Sequence, residues 1–106
     1  MAIVAVSISP VGDGVSVSRH VTAALRVLEG QSGVHYRLDP MFTTLDGDLD
    51  EIFSLIRQMQ EAVFAAGAVR VGTVIKIDDR RDRVVSMDDK VASVQQQLAP
   101  KQDPDS

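Results

Sequence analysis

The chain has 106 residues, no cysteine and a formal net charge of −4, from 11 basic and 15 acidic residues. That length holds one ordinary domain, and the absence of cysteine removes disulfides, thiolate metal sites, iron–sulfur clusters and cysteine nucleophiles. The acidic balance, 4% aromatic content and two histidines argue against a nucleic-acid face, a base-stacking platform and a multi-histidine metal centre.

The opening Met1-Ala2-Ile3-Val4-Ala5-Val6-Ser7-Ile8 lacks the basic leader of a secretory peptide. No apolar run nears the roughly 20 residues of a membrane span. The expectation is a cytoplasmic protein with neither a membrane nor a nucleic acid as partner.

Ile3 to Ser9 is rich in β-branched residues and ends at Pro10, which predicts a strand. Val4, Val6 and Ile8 form its apolar row; Ile3, Ala5, Ser7 and Ser9 form a mixed one. Gly12-Asp13-Gly14 breaks the chain and could hold an anion at the next helix start, or serve as a plain turn. Ser16 or Ser18 can cap that helix, whose stripe is Val17, Val21, Ala24, Leu25 and Leu28. Gly30 and Gly33 bracket its end. A second strand follows over 34–39, Pro40 interrupts, and a third runs from Met41 to Leu45.

Asp48 with Glu51 three residues on marks a helix start. Leu49, Ile52, Phe53, Ile56, Met59, Val63 and Phe64 continue at helical spacing until Gly67. Val69 to Ile77 alternates as a fourth strand. The six consecutive charges Asp78 to Arg83 read as a mutually paired solvated turn, or as a rim or subunit contact. Ser86 and Asp89 can cap a short last helix carrying Val91, Val94 and Leu98. The polar stretch 100–106 reads as a flexible tail.

The order predicts an α+β, ferredoxin-like βαββαβ sandwich over residues 1–99. A four-stranded antiparallel sheet carries two long helices on one face and a short C-terminal helix. The other face would present Ile3, Ala5, Ser7, Gly72, Val74 and Lys76. That mixture is too apolar for a fully wet surface and points to burial against another copy or a ligand.

Thr43, Thr44 and Asp46 offer hydroxyls and a carboxylate suited to an amino-substituted heterocycle. Alternatively, Asp46-Gly47 is a turn and the threonines fill β positions. His20 and His35 have no carboxylate and nucleophile beside them that would form a triad, so no catalytic residue, metal site or cofactor is expected.

Three segments resemble the small thiamine-binding protein family. They are Val6-Ser7-Ile8-Ser9-Pro10 with Gly12 and Ser16-Val17-Ser18; Leu38-Asp39-Pro40-Met41-Phe42-Thr43 with Gly47-Asp48-Leu49-Asp50-Glu51; and Ile75-Lys76-Ile77-Asp78-Asp79-Arg80-Arg81-Asp82. The resemblance implies a ferredoxin-like homotetramer of stacked sheets. It also implies cytoplasmic binding of thiamine, or its hydroxymethylpyrimidine part, without chemical conversion. Relatives often carry Glu where this chain has Ala5 and Asp46. With the resemblance in hand, Ser7, Thr43, Thr44 and Asp46 are the expected ligand-binding residues. Because Thr43 and Thr44 alternate, only one can share the Ser7 face. Two other readings are an acylphosphatase-like phosphate-binding enzyme, with Arg19 near Gly12 and Gly14, and a purely structural or regulatory oligomerisation module.

Overall fold

The computed structural model describes residues 1–12 and 18–100. Residues 13–17, with Asp13, Gly14, Ser16 and Val17, and residues 101–106 lie outside the described residues. The anion-loop, acylphosphatase and tail expectations therefore fall largely there.

Seven elements follow one another: β1 Ala2–Pro10, α1 Ser18–Glu29, β2 His35–Leu38, β3 Thr43–Gly47, α2 Leu49–Ala65, β4 Val71–Asp79 and α3 Met87–Leu98. The sheet is antiparallel in the order β2-β3-β1-β4. This is the ferredoxin-like sandwich with an added C-terminal helix.

Alternation along β1 fixes the layers. Ala2, Val4, Val6 and Ile8 are buried against the helices. They meet Ala24 and Leu28 of α1, Leu45 of β3, and Ile52, Leu55, Ile56, Met59 and Val63 of α2. Phe53 and Phe64 fall outside that α2 stripe and are exposed. His20, by contrast, takes a buried place beside Ala24 and Leu28 on α1.

The turns are specified locally. Gln31 clamps the α1–β2 connection: its amide donates to the Leu28 and Val34 carbonyls and accepts from the Val34 N–H. The Asp48 carboxylate caps α2 by accepting from the Glu51 N–H. The far end of α2 closes with Gly67 N–H to Phe64 C=O and Ala68 N–H to Val63 C=O, the Schellman pattern. That pattern needs a left-handed residue, and Gly67 has φ 111°.

β1 and β2 differ from the sequence expectation by one residue at each end, and β3 and β4 are shifted by two. β3 starts at Thr43 rather than Met41, because the Asp39 N–H donates to the Phe42 carbonyl and closes a two-residue loop of Pro40 and Met41. β4 runs from Val71 to Asp79 rather than from Val69 to Ile77, because its register with β1 pairs Pro10 with Val71 and Ala2 with Asp79.

Candidate functional site

Strand alternation decides which candidate residues can meet. The register sets Thr43 opposite Val6, Thr44 opposite Ala5 and Asp46 opposite Ile3. Thr43 therefore faces the helices, while Thr44 and Asp46 share the open face with Ser7. Ser7 lies four positions along β1 from Ile3, about 13 Å at the usual strand rise.

Asp46 is 2% exposed, which is unusual for a carboxylate on an open face. α3 is the reason. Asp46 Oδ2 accepts the Met87 N–H at 2.8 Å, and Oδ1 lies 3.3 Å from Nδ1 of the exposed His35. A carboxylate at a helix start satisfies a free N–H and opposes the positive end of the helix dipole. The first turns of α3 also reach β2 and β4: Asp88 lies 4.0 Å from Arg37, and Lys90 donates to Asp78 at 2.6 Å. Only Met87 of α3 is buried. The helix is thus held to the sheet by its beginning.

A cavity of about 280 Å3 opens where β3 stops short. β1 continues through Ser7, Ile8 and Ser9, but its pairing with β3 ends at Val6. The Val11 N–H donates to the Arg70 carbonyl, so odd-numbered β1 residues turn their backbone groups toward β4 and even-numbered ones toward β3. Beyond the end of β3, this leaves the Ile8 N–H and C=O aimed at the cavity side. Ser7 and Thr43 both line this space, as do Asp39 and Phe42, while Leu25, Met41 and Met59 supply apolar walls. Asp39 accepts from the Thr44 hydroxyl and from Arg37 Nε, each at 3.4 Å.

The structure thus brings Ser7 and Thr43 to one cavity and places Thr44 behind its carboxylate, Asp39. Asp46 is not among the lining residues. Sequence reasoning missed Asp39, Phe42 and the Ile8 backbone edge. Pro40 directly after Asp39 was the available signal, since it forces the turn that brings 39–42 back beside β1.

A larger cavity of about 480 Å3 lies between α3, the β4–α3 loop and the Ile3 end of the open face. Most of its charged groups already answer one another. Lys90 engages Asp78 and holds that carboxyl below its ordinary value. Arg80 binds Asp82 through two nitrogens and holds it down to about 2. Asp89 is lowered by the Ser86 N–H of the α3 capping box. With Arg81 on Asp79, the charged run is a mutually paired turn. The smaller cavity is the better candidate, because it combines hydroxyls, a carboxylate and a backbone edge left unpaired by β3 among the described residues, between apolar walls.

The chain matches the family described as thiamine-binding protein over residues 4–95. It belongs to that family. The thiamine-binding match runs from β1 into α3, so it takes in the cavity and the docked helix. Among curated relatives, the UPF0045 protein YqgV of Bacillus subtilis is 40% identical over 104 residues, covering 94% of this chain and all of that protein. Among solved structures, the hypothetical protein MJ1052 of Methanocaldococcus jannaschii superposes with a TM-score of 0.81 at 32% identity, covering 89% of this chain and 95% of that one. A Bacillus cereus domain of unknown function, DUF77, gives a TM-score of 0.76 at 37% identity, covering 85% and 86%.

Proposed function

We propose that the protein binds thiamine, or its hydroxymethylpyrimidine half, in the cytoplasm without converting it. The carrying observation is the cavity that gathers Ser7, Thr43 and Asp39 around the exposed end of β1. An aminopyrimidine presents an exocyclic N–H donor beside a ring-nitrogen acceptor. The Ile8 C=O and N–H offer the complementary pair, with no side-chain entropy to lose. Thr43 serves the hydroxymethyl group from the helix side, and Ser7 borders the same space from the opposite face of β1. Phe42, Met41 and Leu25 flank the ring. Asp39, steadied by Thr44 and Arg37, faces the thiazolium cation. Asp46 supports the site indirectly, as the anchor of α3. The cavity volume is just below the roughly 300 Å3 lower range of ligand clefts, which favours the single pyrimidine ring as the enclosed part.

In the same reading the protein works as a homo-oligomer, most simply a tetramer. The open face carries Ile3, Ala5 and the exposed Val74, and α3 covers only one end of it. Burying such a face yields about 25 cal/mol per Å2 of apolar area.

Calorimetry with thiamine, its monophosphate and hydroxymethylpyrimidine tests the ligand reading. The expected result is saturable binding of at least one pyrimidine, lost in Ser7→Ala/Phe42→Ala. Absence of heat for all three at millimolar ligand, together with turnover of an acyl phosphate, would replace this reading with the enzymatic one.

A further inference from the structure

We propose that the larger cavity, about 480 Å3 between α3 and the β4–α3 loop, is a second ligand site that takes a small organic carboxylate with a short apolar body. This goes beyond the pyrimidine reading of the smaller cavity and does not rest on it.

The pairing of the charged turn carries the inference. Residues 78–83 hold three aspartates and three arginines, enough to satisfy one another. α3 upsets that balance by bringing Lys90 to Asp78. Arg80 takes Asp82, and Arg81 takes Asp79. The three carboxylates of the run are then engaged. The fourth cation, Arg83, has no carboxylate in hydrogen-bond or ion-pair contact among the described residues. Asp89, the other carboxylate on the cavity wall, is turned to the start of its own helix, where it accepts the Ser86 N–H. Arg83 therefore lines the cavity with its five N–H donors uncommitted.

The rest of the lining suits an anion with an apolar body. Along the α3 stripe, exposure rises from 6% at Met87 through 39% at Val91 and 54% at Val94 to 78% at Leu98. The helix thus leaves the sheet beyond its first turn, and the cavity is the wedge that opens there. Ile3, Val84, Val85 and Val94 are its apolar walls, and Ser93 adds a hydroxyl. A guanidinium fork matches carboxylate and phosphate alike, so the neighbours decide between them. Asp78 and Asp89 border the same space. A phosphate dianion would set two negative charges beside them against one free cation, whereas a carboxylate sets one charge against one. Lys90 has N–H donors left over beside the one it gives Asp78. The bound ligand touches the 83–85 loop and α3 together, and so ties down a helix whose only buried residue is Met87.

Amide NMR titration with isocaproate tests the site. Saturable shifts are expected at Val84, Val85, Ser93 and Val94, with Ser7 and Thr43 undisturbed. Arg83→Gln should weaken binding about tenfold, the loss that goes with a charge-assisted hydrogen bond. The uncharged isocaproamide should bind the parent protein comparably weakly. Bound isocaproate should also slow amide exchange along α3, an effect that Arg83→Gln removes. Arg83 is exposed and holds no other element in place, so this variant should keep the parent's far-UV circular dichroism. Val94→Glu, which sets a like charge against the ligand, is a second variant expected to abolish the shifts. No saturable shift at millimolar isocaproate overturns the proposal, and so does unchanged affinity in Arg83→Gln or equal affinity for the amide. Saturation of the same residues by inorganic phosphate in preference to isocaproate overturns the ligand class.

Discussion

Asp39 and Asp46 show how differently two carboxylates seven residues apart can be used. Asp46 is enclosed and engaged by the Met87 N–H, whereas Asp39 is partly exposed at the rim of the cavity. Asp39→Asn should therefore weaken cationic thiamine more than neutral hydroxymethylpyrimidine, by about 1–3 kcal/mol for a charge-assisted contact. Parallel calorimetry checks it, and equal affinity changes would remove Asp39 from the site. In the charged turn, Arg80 holds Asp82 at about 2 against an ordinary 3.8. A depressed carboxyl contributes stability above its unfolded value and loses it as pH falls through the folded one. The β4–α3 turn should hence loosen between pH 3.8 and about 2. Carboxyl NMR titration should find the Asp82 midpoint near the lower value, moving toward the upper one in Arg80→Gln.

Each element was legible where its signal was local. Val4, Val6 and Ile8 announced the buried row of β1, and Ser86 with Asp89 announced the cap of α3, where both capping-box bonds are present. Ser86→Ala should cost about 1 kcal/mol of helix stability. It should accelerate amide exchange along α3 while leaving α2 protected; loss of protection in both would mean that α3 is integral to the core. What sequence reading could not supply was the docking of α3. Asp46 meets Met87 across 41 residues, and nothing in either segment states that pairing. The same blindness made Asp46 look available to a ligand. The start of β3 was misplaced because Met41 and Phe42 suit a strand by residue type, while Met41 lies in the Pro40–Met41 loop and the Phe42 carbonyl closes it.

For the whole molecule, the arrangement separates labour between the two sides of one sheet. The helix-covered side supplies the core, and the other side carries α3 at one end and a bare apolar stretch at the other. Val74→Lys sits at the centre of that stretch and should shift sedimentation toward the 11.5 kDa species. A lysine placed in the 100–106 tail should not. If both variants assemble like the parent, this face is not the interface. The fold was readable because two strand–helix–strand halves repeat with nearly the same spacing. The candidate cavity was not, because it arises from a mismatch in length: β1 outruns β3, and unequal strand lengths appear only once the register is known.

The attachment of α3 by its beginning has a kinetic consequence. With Met87 its only buried residue, the helix can detach while the sandwich stays closed, so it forms a separate unit of local opening. Each detachment uncovers Asp46 and strips the Met87 N–H from it. Val84 is already 76% exposed, so detachment is expected to quicken a protease's cut at Val84 and Val85 by loosening the loop backbone. Cleavage there should follow the opening equilibrium of one helix rather than the global unfolding of the domain. Proteolytic lifetime would then respond to Asp46→Ala far more than to any ligand bound in the distant cavity beside Ser7.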